Sequence, residues 1–154
     1  MSTTEIGEQD IAALIARWSE AAQLYIDGDL RAYAAIARHA EDYTLLPPYG
    51  GDARFGFDGS DDAVERTART FRGGQVELEV YKTYSSGDLA VLVAVERQVG
   101  TVGELPSQDW SLRITLVFRR DTTGWRLVHR HADPLVHGVH PELFAAIARG
   151  DHSG

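Results

Sequence analysis

Toward the C-terminal end of the chain two apolar runs flank a short polar break, and no other stretch restricts the fold as strongly. The runs are QDWSLRITLVFRR (residues 108–120) and WRLVHRHADP (residues 125–134), separated by Asp121, Thr122, Thr123 and Gly124. Both are rich in β-branched, aromatic and long apolar side chains. Such runs around a polar break that ends in glycine signal a β-hairpin. Pro134 has no N–H to give to a ladder, so the second strand is expected to end there.

The register of this hairpin decides which side chains meet. Leu112, Ile114, Leu116 and Phe118 share one face of the first strand, and Arg113, Thr115, Val117 and Arg119 share the other. In the second strand Trp125, Leu127, His129 and His131 stand opposite Arg126, Val128, Arg130 and Ala132. The break is not Asn-Gly, so it leaves the loop length open. A slip of one residue would exchange the faces. Matching apolar to apolar sets Trp125 and Leu127 beside Leu116 and Phe118, and Arg113, Thr115 and Arg130 then gather on the opposite face.

Composition narrows the class. A length of 154 residues suits one domain with a substantial core. The expected layout is a single domain over residues 1–150 and a loose tail over residues 151–154. The chain has no cysteine, which excludes a disulfide, a thiolate nucleophile and a thiolate-bound metal. It starts Met-Ser-Thr-Thr-Glu and carries no apolar signal segment or membrane span, so a soluble cytoplasmic protein is expected. A formal net charge of −8, with no long basic patch, makes nucleic acid and anionic membranes poor partners.

Taken in order, Ile11, Leu14, Ile15, Trp18, Ala21, Ala22 and Tyr25 recur at helical spacing and predict a long amphipathic helix. Asp10 is its expected N-cap and Gly28 its left-handed stop. Asp29 caps a second helix that turns Leu30, Tyr33, Ile36 and Ala37 inward. A short strand at residues 43–46 is halted by Pro47 and Pro48. Residues 49–59 form a glycine-rich loop of a length that often serves function. Ser60 caps a third helix, 61–72, which buries Val64, Ala68 and Phe71 and ends at Gly73 and Gly74. Strands follow at 75–85 and 89–99, the second apolar on both faces up to Glu96 and therefore central. After the hairpin, Pro141 opens a short helix to residue 149.

Helices followed by a strand meander imply an α+β domain. The simplest packing is a curved antiparallel sheet wrapped around the N-terminal helices, with a pocket at its open end. The strand apolar on both faces needs a cover on its convex side, and a second copy of the chain supplies it. A homodimer through the convex face is therefore expected.

With these elements in place, the chain resembles the nuclear transport factor 2-like superfamily over nearly its whole length. It is most similar to SnoaL-like and ketosteroid-isomerase-like members of unassigned function. The resemblance is carried by YIDGDL from Tyr25, DYTLLPP from Asp42, YSSGDLA from Tyr84, and TLVFRRD from Thr115 through GWRLVHRH from Gly124. It implies a cone-shaped sheet of cystatin-like type, a pocket, and dimers. Fold-level likeness does not transfer chemistry. The three proton-handling positions of ketosteroid isomerase fall at Leu46 or Pro47, at Ala21, and at Thr115 or Leu116, and none carries the family's group. Steroid-type isomerisation by that route is not expected. The association domain of the calcium/calmodulin-dependent kinase shares the Val-His-x-His stretch of Val128 to His131, and its pocket arginines bind carboxylates. Here the corresponding strands carry Arg113 and Arg130, displaced by two positions.

The candidate site follows from both readings. Arg97, Arg113 and Arg130, with Thr115, are expected to line the pocket. An inward guanidinium among apolar side chains needs an acidic partner or an anionic ligand. The competing account pairs these arginines with Glu96, Asp109 or Asp133, or turns them to solvent. His129, His131 and Asp133 form one row, spaced for proton transfer, and are the catalytic candidates. In the chosen register that row lies away from Arg130, where a dimer contact or a hydrogen-bonded core histidine is the simpler role. Tyr25, Tyr43, Tyr49 and Trp110 are candidate aromatic walls, with Tyr25 and Tyr43 at the mouth and Tyr49 as a lid. No metal site and no cofactor is expected, and the glycine-rich loop lacks the context of a phosphate loop. The expected function is binding of a small, partly apolar and anionic metabolite, with acid/base chemistry of the isomerase, cyclase or dehydratase kind. The alternative is a non-catalytic dimeric ligand-binding or association module.

Overall fold

The computed structural model describes residues 5–151. Residues 152–154 of the expected tail lie outside the described residues. Helix α1 (Glu8–Ile26) buries Leu14, Trp18, Ala21, Ala22 and Ile26 along one stripe. Its N-cap is Gly7, and Asp10 sits at the third helical position, where its carboxylate accepts the Gly7 N–H at 2.9 Å. The chain turns at Gly28, with φ +80°, and a Cβ there would fall 2.3 Å from the Phe71 carbonyl oxygen. Only glycine fits that turn. Asp29 then caps α2 (Leu30–Ile36) by accepting the Ala32 N–H at 3.1 Å.

Strand β1 (His39–Leu46) starts earlier than its apolar run suggests, and a two-residue strand, β2 (Arg54–Phe55), lies inside the glycine-rich loop. Helix α3 (Asp61–Thr70) is capped by Ser60 and buries Ala63 and Thr67 rather than Ala68 and Phe71. It is followed by β3 (Phe71–Ser86), β4 (Leu89–Val102), β5 (Gln108–Asp109), β6 (Leu112–Asp121) and β7 (Gly124–Asp133). A 3₁₀ turn (Leu135–His137) and α4 (Pro141–Ala148) close the chain.

Gly73 and Gly74 do not stop a helix; they belong to β3. Gly74 pairs with Gly100 of β4, and a Cβ at Gly74 would meet the Val99 carbonyl oxygen at 2.3 Å. The Ile26 side chain rests on both glycines, so the pair marks where α1 crosses the sheet.

The strands form one curved, unclosed seven-stranded sheet in the order β2-β1-β7-β6-β4-β3, with β5 against β4. The β1–β7 pairing is parallel, which corrects the expectation of an all-antiparallel sheet; the other described pairings are antiparallel. With helices on the concave side this is an α+β fold. Leu92, Leu116, Phe118 and Leu127 meet Leu14, Trp18 and Tyr33 in the core. The convex side carries Val91, Val93, Tyr84, Leu89 and Val99, and the last three are exposed. Among the described residues no helix is long and apolar enough to cross a membrane.

Candidate functional site

One extra residue in β7 organises the concave face. Leu127 pairs with Phe118 and His129 pairs with Val117, so Val128 is a β-bulge. The bulge changes the phase of the strand. Leu127 and Arg130 both point to the concave side, while His129, His131 and Asp133 point to the convex side. Arg113 and Thr115 pair with Asp133 and His131 and share that convex side. The expected grouping of Arg113, Thr115 and Arg130 is thereby corrected, because strict alternation cannot foresee a bulge.

Arg130 donates from Nη1 and Nη2 to Oε2 and Oε1 of Glu96 at 3.1 and 2.8 Å. Trp18 Nε1–H donates to the same Oε2 at 2.8 Å, and the guanidinium carbon lies 5.6 Å from the Trp18 ring centre. Side-chain exposure is 15% for Arg130 and 3% for Glu96, so this is a buried, doubly bonded ion pair. Burial opposes the charge on Arg130, but the Glu96 carboxylate outweighs it and holds the guanidinium above its ordinary range.

Phenols surround the pair. Burial raises the Tyr25, Tyr33 and Tyr43 hydroxyls above their ordinary range, Tyr43 to about 12, while Arg130 pulls each of them down. His39 completes the ring. Its Nε2 lies 3.4 Å from the Tyr33 hydroxyl, and its buried Nδ1 has no hydrogen-bond partner. Burial pushes the imidazole down to about 4; the nearby Ala37 carbonyl opposes this, and the Arg130 charge reinforces it. His39 is neutral at pH 7.

The aromatic rings form a connected set. Tyr25 meets Phe71 and Tyr33 with ring centres 4.8 and 5.1 Å apart, and Tyr33 meets Trp18 at 6.1 Å. Tyr43 meets His39 edge-on at 4.5 Å, and Phe57 stacks flat on His39 at 4.0 Å and 9°. The helices and strands tile this interior closely. A cavity of about 10 Å³ beside Trp18, Ala21, Phe118 and Leu127 holds no more than a water. The open hollow expected at the end of the sheet is filled by aromatic side chains.

The remaining sequence candidates lie apart from this cluster. Arg97 pairs with Glu79 at 2.8 Å on the convex side, and Arg113 is bidentate to Asp133 at 2.8 and 2.9 Å. His129 Nδ1 lies 2.7 Å from the Thr44 hydroxyl, and His131 is exposed. Trp110 donates its indole N–H to the Gly100 carbonyl at 3.0 Å, away from the concave centre. Tyr49 is 74% exposed at the loop, where Arg54 donates to its hydroxyl and lies over its ring. The charges of Arg54 and Arg66 pull the Tyr25 phenol down, and Tyr49 pushes it up. Sequence reasoning missed His39 and Phe57. Glu96 was the visible signal, as the one acid in the apolar run of β4. Among the described residues no group of three or more acids and histidines is arranged to hold a metal.

A curved, unclosed sheet laid around N-terminal helices defines the nuclear transport factor 2-like, cystatin-like class. The SnoaL-like domain family matches residues 11–136, and the chain belongs to that family. The comparison with curated proteins gave no match. Among solved structures, the chain is similar to a proposed dehydratase of the NTF2-like family from Streptomyces avermitilis. That pair is 22% identical with a TM-score of 0.62, covering 83% of this chain and 95% of the other. A cystatin-like domain of unknown function from Nostoc punctiforme is 16% identical at a TM-score of 0.64, over 96% and 89% of the two chains. The CaMKII hub of S. rosetta is 20% identical at a TM-score of 0.64, over 79% and 94%. At these identities the likeness concerns the fold alone.

Proposed function

We propose that the chain is a small-molecule-binding SnoaL-like domain whose ligand enters the concave face by displacing part of its aromatic packing and comes to lie against Arg130, Glu96, Tyr25 and Tyr43. The observation that carries this reading is the desolvated Arg130–Glu96–Trp18 unit inside a ring of phenols. A core that needs only stability is built at lower cost from apolar side chains, because burying two charges costs several kcal/mol each. Arg130 and Glu96 neutralise one another, so they suit a carbonyl or hydroxyl group. A carboxylate on the same ligand is better served by Arg54 and Arg66 on the loop side. Neutral His39 beside Tyr33 can accept a proton, and the phenols of Tyr25 and Tyr43 can donate hydrogen bonds to an enolate. That is chemistry of the isomerase, cyclase or dehydratase type.

The test is a thermal-shift screen against small ketones, hydroxy acids and carboxylates, with each hit titrated against single-hydroxyl variants. Tyr25→Phe and Tyr43→Phe should weaken binding about fivefold, the worth of roughly 1 kcal/mol for one hydrogen bond. Tyr84→Phe, on the convex face, should leave it unchanged. Hits insensitive to both concave tyrosines would remove the assignment.

A second reading, a dimeric association module, is favoured by the convex face. Tyr84 and Leu89 are exposed there beside half-buried Val91 and Val93. His129 and His131 would then belong to a subunit contact, and proton transfer by His129, His131 and Asp133 would need a ligand on that outer face. Sedimentation of Val93→Glu is the test: a concentration-independent monomer, against a dimer of the unaltered chain, supports it, and a monomer in both cases ends it.

A further inference from the structure

The rings of the concave cluster come from helices and strands, with one exception. Trp18 and Tyr25 lie on α1, Tyr33 on α2, His39 and Tyr43 on β1, Phe71 on β3 and Phe118 on β6. Phe57 lies in none of them; it comes from the link between β2 and α3. It makes the flattest contact of the set, ring on ring with His39 at 4.0 Å and 9°, and also faces Tyr33 at 6.1 Å. The loop that carries it is held lightly. Gly50, Gly51 and Gly56 have positive φ, and a Cβ at any of them would meet nothing within 4 Å. Its ties to β1 are the short pairing of Arg54 and Phe55 and the Gly56 N–H donated to the Tyr43 carbonyl at 2.7 Å.

Arg54 and Arg66 stand on the same side. The carboxylate near Arg66 is Asp58, at 3.8 Å with both groups exposed, and Arg54 donates to the Tyr49 hydroxyl. The chain is acidic overall, so these cations stand out from its field.

We propose that Phe57 is a built-in plug, and that the site's ligand is a flat aromatic ring bearing an acidic group, which replaces the Phe57 ring on His39. This rests on the concave-site reading above. The face of the imidazole stacks more favourably with a flat aromatic ring than with a saturated one. The acidic group of the ligand points back to the loop side, toward Arg54 and Arg66. Phe57 competes with the ligand for one slot, so the plug lowers apparent affinity by holding the competent state to a fraction of the population.

The probe is 2-naphthoate, with its fully saturated decalin carboxylate as control, titrated by calorimetry against the whole chain. Phe57→Ala is expected to bind 2-naphthoate about fivefold more tightly than the unaltered chain, and Phe57→Leu, which stays apolar but cannot stack, by an intermediate factor. His39→Leu is expected to weaken binding about tenfold, and the saturated acid to bind at least tenfold more weakly than the naphthoate. Far-ultraviolet circular dichroism identifies any variant that fails to fold, and the leucine variant then stands in for the alanine one. Equal or weaker naphthoate binding by both Phe57 variants overturns the plug. Equal binding of the saturated acid overturns the ring class. If naphthoate fails while other hits still depend on Tyr25 and Tyr43, this inference falls and the concave-site reading stands. If no ligand depends on those tyrosines, the reading falls with it.

Discussion

Two arginines of the same hairpin each hold a carboxylate through two hydrogen bonds of similar length, and the two pairs sit in very different surroundings. Arg113 and Asp133 meet at 2.8 and 2.9 Å on the convex side; Arg130 and Glu96 meet at 2.8 and 3.1 Å on the concave side. Exposure separates them: 55% and 29% for the outer pair, against 15% and 3% for the inner one. In water the attraction is screened, and the ordering of two long side chains offsets much of it. In the interior the same bonds act in a low dielectric, and either partner left alone is costly. Bond geometry therefore says little about what a pair contributes, and burial says most.

The largest effect should come from breaking the inner pair. Arg130→Ala leaves Glu96 buried and unpaired, and a loss of about 3–5 kcal/mol in chemical denaturation is expected. Glu96→Gln strands the guanidinium and should fall in the same range. Replacing both, as Glu96→Leu with Arg130→Met, should recover most of that stability. A double variant as unstable as the single ones would show that the inner pair stabilises the fold outright.

The next effect tests the concave side by pH. His39 titrates near 4 in the folded chain, against about 6.5 for an unperturbed imidazole. The unfolded chain therefore takes up the proton first as pH falls. The stability from the neutral ring is complete above about pH 6.5 and is lost as pH drops toward 4, by roughly 3 kcal/mol. Arg130, Tyr33 and Tyr43 are the polar groups facing the ring, and none of them titrates in that window. Denaturation midpoints measured from pH 7.5 to 4 should show the slope, and His39→Phe should remove it. An identical slope in the variant would assign it to carboxylates elsewhere.

The smallest effect belongs to the outer pair. Arg113→Ala should cost no more than about 1 kcal/mol and should cost less still in 1 M salt. A loss as large as that of Arg130→Ala would mean that the convex face is desolvated, as it would be inside a dimer.

The hairpin strands, the helix caps at Asp29 and Ser60, and the stop at Gly28 were legible because each rests on neighbours a few residues away. So was the family, through its dispersed motifs. Glu96 declared itself as an acid in an apolar strand, and its pairing with Arg130 was one of two accounts the residues allowed. Phe57 and His39 were not legible, since they stand eighteen positions apart in the chain and only the stacking of a loop onto β1 joins them.

Periodicity and turn chemistry by themselves determined the α+β class, the helix–sheet order and the inward stripe of α1. The tertiary structure alone decided which arginine faces inward, because one bulged residue at Val128 reverses the phase of the strand beyond it. It also decided that Gly73 and Gly74 lie in a strand, with Gly74 under Ile26, since a steric approach from a distant helix leaves no local signature. A pattern that repeats every two residues records a face, and it takes the partner strand to say where the count restarts.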